Sequence, residues 1–305
     1  MFFSGAYILS TKPWVMAVAD NSLASVIKIT RRAGINAHFL VFRTWFGGDL
    51  KGALSAVRLF AKSGFPRMTW MCNATAEVSM LRIFAQRAIF CHHNLFCNEN
   101  TFLHQSLPIA FDAIYIARLD PYKRLWLARN IQKLRIVAAN PQDKSRLVTW
   151  GCSHASVNSQ YQNFQTTAED ICKSNYGLAL SKKEGGMLAV TEYLLCGKPV
   201  VTTPSRGGRE HWLDAENHLV VADDPVAIAE AVNGINYHRW NPHAIRNSTL
   251  IRLKHQRQIL AEYVHRLGVC HRQLSADQVN GDWLHGKYVH HSELARILSQ
   301  TSFSS

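Results

Sequence analysis

A chain of 305 residues, 47% hydrophobic and 18% charged, is neither disordered nor fibrous and is long enough for two ordinary globular domains. Its formal net charge of +13 attracts nucleic acid, lipid headgroups and phosphorylated substrates alike, so charge by itself selects none of them. No apolar run nears the roughly 20 residues that cross a bilayer, the N-terminus has no basic n-region, and seven scattered cysteines read as reduced, buried thiols of a cytoplasmic protein.

Residues 1–107 read as a first α/β domain. SGAYILS is its first strand, SLASVIKITRRA a helix closed by Gly34, and NAHFLVFRTWF a strand. Gly47 and Gly48 then turn the chain into a helix capped by Asp49, LKGALSAVRLFAKSG, at the strand end where ligands of doubly wound sheets bind. RMTWMC is a strand, ATAEVSMLRIFAQR a helix with Asn73 or Thr75 available as cap, and AIFCHHN a strand. That strand ends in Cys91, His92, His93 and Asn94, with Cys97 close behind. Neighbouring strand residues face opposite ways and no second half of a Cys/His pattern follows, so no metal site is expected.

The polar, Pro108-containing stretch 98–110 is the candidate linker to a second domain, 108–240. FDAIYIA is its opening strand, after which Arg118 and Lys123 leave the carboxyl end across a turn made by Asp120 and Pro121. Two fixed cations at that edge suit an anionic ligand such as a diphosphate. LRIVAAN and SRLVTWGCS read as further strands, with Gly151, Ser153 and His154 behind the second as pocket residues or a plain turn. TTAEDICKSN is a short helix.

The stretch 176–204 carries the strongest pattern: a strand YGLALS, a turn Glu184-Gly185-Gly186, an apolar helix MLAVTEYLLC, the stop Gly197 and a strand VVTT. Consecutive glycines at a helix start leave backbone N–H groups open to an anion such as a diphosphate. Glu184 and Glu192, eight positions apart, lie at most ~12 Å from one another if both belong to one helical element, about the span of a nucleotide diphosphate-sugar from ribose to hexose.

This E-x7-E arrangement, followed by CGKPVVTTPSRGGRE, resembles the donor-binding signature of retaining family 4-like (group 1) glycosyltransferases of the GT-B fold. IARLDPYKR resembles that family's G-R-L…K segment, with Ala117 where Gly is usual. The resemblance is strong over about 115–235, weaker before it and absent in the final forty or so residues. It implies two Rossmann-like domains facing a central cleft, with Arg118 and Lys123 gripping donor phosphates, Glu184 near the transferred sugar and Glu192 on the ribose. His92 or His93 is similar in placement to a histidine that touches the donor sugar, the alternative being a histidine satisfied by a backbone carbonyl. The donor-binding set is then Gly151, Gly185, Gly186, Met187 and Glu192.

DDPVAIAEAVNGI is a helix with Asp223 or Asp224 as cap and Pro225 at its start. Residues 241–305 continue as basic amphipathic helices, suited to crossing back to the first domain or resting on an anionic membrane, and then as a weakly periodic tail expected to be partly disordered. The resemblance implies transfer of a hexose from a nucleotide diphosphate-sugar to a hydroxyl acceptor, glycan or lipid-linked, with retention and without a metal or other cofactor. Nucleic acid is not an expected partner, because no Lys/Arg run or basic helix interleaved with aromatics is present. A nucleotide-sugar epimerase of the same shape and a non-catalytic basic binding module are the alternatives.

Overall fold

The computed structural model describes residues 4–234 and 240–301. The first three residues, the Ser-rich end 302–305 and the end of the NGI helix at Ile235 lie outside the described residues. In chain order the elements begin with β1 (Gly5–Thr11), β2 (Trp14–Ala19), α1 (Leu23–Arg32), β3 (His38–Phe42), α2 (Leu50–Lys62), β4 (Met68–Cys72), α3 (Thr75–Ile83) and β5 (Ala88–Phe90). Next come β6 (Phe111–Ala117), β7 (Leu134–Ala138), α4 (Ser145–Thr149), β8 (Ser156–Val157), α5 (Phe164–Cys172), β9 (Ser174–Ala179), α6 (Leu188–Leu195), β10 (Val200–Thr202), β11 (His218–Val220) and α7 (Pro225–Gly234). The chain closes with α8 (Pro242–Arg266), α9 (Gly281–Gly286), β12 (Tyr288–His290) and α10 (His291–Thr301).

Two compact units result: Met1–Asn98 together with Leu253–Ser305, and Glu99–Arg252. The division thus falls inside the stretch 98–110 and again inside α8, and the tail groups with the first unit.

The first unit holds a sheet in the order β12-β1-β2-β3-β4-β5. β2 to β5 run parallel and in sequence, while β1 is antiparallel to both β2 and β12. Trp14–Ala19, read in the sequence only as part of an apolar N-terminus, is one of its strands. The repeating strand-helix unit follows from local pattern: α1 buries Leu23, Val26, Ile27 and Thr30 at helical spacing, and Asp49 accepts the Gly52 N–H (2.7 Å) to start α2. The core gathers Met16, Phe39, Val41, Trp70 and Leu81 with Leu294 and Leu298 of α10. The expected disorder of the tail is therefore corrected through Thr301: its two leucines sit on one helical face and are buried, and β12 supplies hydrogen-bonding partners to β1. Neither Asn73 nor Thr75 caps α3; its N-cap is Ala74. The buried Glu77 carboxylate takes the N–H groups of Gly47 (2.6 Å) and Asn73 (2.7 Å) instead.

The second unit holds a sheet in the order β11-β10-β9-β6-β7-β8, parallel throughout. From β6 the chain winds outward through β7 and β8, then returns to the other side of β6 with β9. This is a doubly wound sheet whose strand order reverses between β6 and β9. SRLVTWGCS is not a strand. It holds α4, a single turn that buries Leu147 and exposes Val148, a one-sided burial that suits a helical turn better than an interior strand.

Three arginines of α8 are taken up inside the two units. Arg246 donates to the carbonyls of Phe102, Leu195 and Glu99, Arg252 to that of Trp212 and to the Asp214 carboxylate, and Arg257 to those of Leu95 and Cys97. These guanidiniums satisfy internal carbonyls of the unit each belongs to. Among the described residues, no helix is long and apolar enough to cross a membrane.

Candidate functional site

The reversal in the second sheet is where a doubly wound fold parts its loops into a crevice at the strands' carboxyl ends. β6 pairs with β7 as far as Ala117, but with β9 only to Ile114↔Gly177, so the two central strands part before they end. Past that point the Ile116 N–H donates to the Tyr193 hydroxyl of α6 (2.7 Å). Gly177 makes this possible, because a Cβ there would overlap the Tyr193 ring. Loops 118–124 and 180–187 leave the sheet on either side of this gap.

The loop after β6 is fixed from below by the Tyr115 hydroxyl, which donates to the Lys123 carbonyl (2.6 Å). Arg124 follows in the left-handed region (φ 52°) and reaches three other loops. It donates to the Leu180 carbonyl (2.6 Å) and the Thr203 hydroxyl (2.6 Å), and it pairs with Asp223 (2.8 Å). One guanidinium thus ties together the loops that follow β6, β9, β10 and β11. Sequence reasoning passed over Arg124, although it stands directly beside Lys123. It also left Asp223 as a candidate cap. Asp224 is the cap, accepting the N–H groups of Val226 and Ala227.

Lys123, which the resemblance puts on the donor phosphates, and Glu184, which it puts near the transferred sugar, meet in an ion pair that is nearly out of solvent, with side chains 9% and 11% exposed. Ser181 donates to the second Glu184 oxygen (2.6 Å). The buried Arg209 donates to the Ser181 hydroxyl (3.3 Å) and the Thr203 carbonyl (2.8 Å). Burial, with Arg209 and Arg118 nearby, pushes the Lys123 ammonium down to about 7, against the pull of Asp120. Contact with the Glu184 carboxylate favours the charged form. Arg118 is more open, its side chain 39% exposed and paired with Asp120 (2.8 Å).

Glu184 does not belong to a helix. Residues 182–185 run alongside 206–208: the Arg206 N–H donates to the Lys182 carbonyl (3.0 Å), the Glu184 N–H to the Arg206 carbonyl (3.2 Å) and the Gly208 N–H to the Gly185 carbonyl (2.7 Å). Gly207 is required here, since a Cβ would overlap the Glu184 carbonyl oxygen. The expectation that both glutamates lie along one element is thus corrected: only Glu192 is helical. Gly185, Gly186 and Met187 are buried, and Met187 is the left-handed N-cap (φ 49°) of an α6 that has no side-chain cap. Glu192, 8% exposed on α6, carries a carboxyl that burial pushes up to about 7. Among the described residues no hydrogen bond holds that carboxyl.

The remaining candidates lie elsewhere. Gly151 ends α4 with φ 70°, next to Arg129, and His154 contacts the Ile131 carbonyl (2.8 Å). His92 and His93 are buried in the first unit. The His92 N–H donates to the Gln256 side chain (2.8 Å); the His93 N–H donates to Asn73 Oδ1 (3.0 Å), which also lies 2.9 Å from the ring Nδ1. Burial lowers His93 to about 4. Among the described residues no group of three or more His, Cys, Asp or Glu is arranged to hold a metal.

Residues 110–235 match the family model described as glycosyl transferases group 1, which covers the second unit's sheet and the crevice residues. No curated protein matches the sequence. Among solved structures the chain is similar to TarM, of which it spans about half: TM-score 0.59, 13% identity, 82% of this chain and 54% of that one. It is also similar to HepE of Anabaena (0.57, 15%, 82% and 77%) and to sucrose-phosphate synthase of Thermosynechococcus elongatus (0.54, 14%, 95% and 73%). These likenesses show the fold: two Rossmann-like α/β units of the GT-B type.

Proposed function

We propose that the second unit binds a nucleotide diphosphate-sugar in the crevice between β6 and β9, and that the protein transfers the sugar to a hydroxyl acceptor. The observation that carries this reading is the convergence, at the reversal of the second sheet, of a buried Lys123–Glu184 pair, the left-handed, glycine-preceded start of α6 and the buried Glu192 carboxyl. The group 1 match over these same residues supports it. So do two neighbours' complexes, HepE with UDP and glucose and S. aureus TarM with UDP and alpha-GlcNAc-glycerol.

In this reading Lys123 and Arg118 face the diphosphate with the N–H groups of Gly185, Gly186 and Met187, and stabilise the charge that grows on it as the anomeric bond breaks. Glu184 sits beside the transferred hexose, with Ser181 and Lys123 fixing its orientation. Glu192 accepts from the ribose hydroxyls, which replace the water a buried carboxyl lacks. Gly151 is a further donor-side candidate. The acceptor, a glycan or a lipid-linked hydroxyl, attacks on the face the diphosphate leaves, giving retention without a metal.

The test is a thermal-shift panel of UDP-, GDP- and ADP-sugars, followed by transfer assays with the sugar that shifts. A matching donor at ~100 times its Kd adds about 2.7 kcal/mol of stability. Glu192→Ala removes that gain. An unchanged shift in this variant overturns the ribose assignment, and sugar inversion without an acceptor identifies an epimerase instead.

A further inference from the structure

Of the net charge of +13, the first unit carries +10, and residues 1–98 alone hold eleven Lys/Arg against three Asp/Glu. All three acids are engaged within the unit. Asp20 accepts from the Thr44 hydroxyl (2.8 Å), Asp49 caps α2, and Glu77 is buried on two backbone N–H groups. The cations gather at one place. Because β3, β4 and β5 are parallel, the turns α1-β3, α2-β4 and α3-β5 all lie at the amino edge of the sheet, opposite the edge that carries His93 and Gly47. These turns bear Arg31 and Arg32, Lys62 and Arg67, and Arg82 and Arg87. The clustering is real in space: Arg87 and Arg67, after burial, are what hold His38 at the start of β3 down to about 4.

An exposed apolar residue stands at each of two of these turns, Phe65 within one and Ile83 at the helix end before the other. Phe65 is 70% exposed and Ile83 75%. Phe65 holds a left-handed backbone (φ 51°), a costly conformation for a bulky residue at a turn tip. Between α1 and the end of α2, a crevice of about 270 Å³ is lined by Lys28, Arg31, Arg32, Lys62 and Ser63 with Ala24 and Ile27, and with no acid among its walls.

We infer that this edge of the first unit docks on an anionic lipid bilayer, with Phe65 and Ile83 entering the headgroup boundary and the crevice cations meeting lipid phosphates. Apolar tips set among Lys and Arg are the composition of an interfacial contact. Each cation near an anionic surface favours attachment by several-fold. Nucleic acid is the weaker match, since an aliphatic tip such as Ile83 offers no face for stacking bases. The inference does not rest on sugar transfer, because vesicle binding is measured without a donor.

The experiment is co-sedimentation of the full chain with phosphatidylcholine vesicles and with vesicles containing about one third phosphatidylglycerol, at low and high salt. Binding is expected to the anionic vesicles and to weaken with salt. Arg32→Glu with Lys62→Glu is expected to weaken it by tenfold or more, and Phe65→Ser with Ile83→Ser by about fivefold. Unchanged melting temperatures show that both variants fold, and Arg32→Gln with Lys62→Gln replaces the charge reversal if it does not. Equal binding to neutral vesicles, or full binding by the charge variants, overturns the inference. So does full competition by inorganic phosphate or by a single-stranded oligonucleotide with no effect of the Phe65 and Ile83 substitutions.

Discussion

The two units are built from the same alternation of strand and helix, yet only one of their sheets turns back on itself. In the first unit β2, β3, β4 and β5 follow one another in a single direction, so no pair of adjacent parallel strands sends its loops apart. Its carboxyl edge is closed by its own hydrogen bonds, with Glu77 and Asn73 holding Gly47, His93 and the Arg43 carbonyl. In the second unit the reversal parts β6 from β9, and the gap is lined by ionisable groups held out of water at a visible energetic cost: Lys123 is pushed down and Glu192 up. Strand order, more than strand content, decides where chemistry can be placed.

The sharpest way to break this contrast is at Lys123. Lys123→Met leaves Glu184 charged and buried, and is expected to cost about 3–5 kcal/mol in chemical denaturation. Adding Glu184→Gln recovers most of that loss, while sugar transfer stays down by at least about 10²-fold in both variants. Recovery of transfer in the double variant removes Lys123 from the mechanism.

Glu192 gives an effect of opposite sign. Its carboxyl is raised in the folded state, so its linkage contribution is most favourable below the unfolded value and is lost as pH rises through about 7. Glu192→Gln is therefore expected to be more stable than the parent at pH 8, by up to about 3 kcal/mol, and to converge with it in acid. Donor binding falls at least tenfold in the same variant. Urea melts across pH and donor titration read the two separately, and a variant that is less stable at pH 8 contradicts the environment assigned to this group.

A matched pair of glycines compares the units directly. A Cβ at Gly207 overlaps the Glu184 carbonyl oxygen, and one at Gly5 overlaps that of Val289 in β12. Both alanine variants are expected to lose about 1–3 kcal/mol. Only Gly207→Ala should also weaken donor binding, because it displaces the Glu184 loop; equal donor affinity in the two would separate that loop from the site.

The smallest effects are at the ties. Asp49→Ala in the first unit removes an N-cap, at about 1 kcal/mol. Asp223→Ala in the second loosens Arg124 by less than about 1 kcal/mol, since Asp223 is partly exposed. Arg124 holds the Asp223 carboxyl below its usual range, so this contribution is present above the ordinary carboxylate value and fades as acid protonates the folded-state group. Thermal melts at pH 7 and pH 3 should show a larger difference at the first than at the second.

Much of this was legible in the sequence. The 3.6-residue spacing of Leu23, Val26, Ile27 and Thr30, the Asp49 cap and the apolar run before Glu184 each announce their element, because burial on one face and satisfaction of terminal N–H groups are local demands. The glycines at 185–186 were legible as an opening of the backbone at a helix start, but that position 207 needs glycine for its close approach to the Glu184 carbonyl was not. Misreadings came where tertiary context prevailed. A single helical turn at 145–149 resembled a strand, and a weakly patterned tail was ordered by burying two leucines and pairing with an open sheet edge.

The sequence by itself determined most of the alternation of strands and helices and the family resemblance of the second half, since these depend on residues close along the chain. Only the tertiary structure decided that Lys123 and Glu184 form one pair, that Arg124 fastens four loops, that Arg246, Arg252 and Arg257 of α8 are occupied internally, and that six cations flank the turns at one edge of the first unit. These are contacts between residues tens of positions apart, and which of them form depends on strand order, a property that no local spacing encodes.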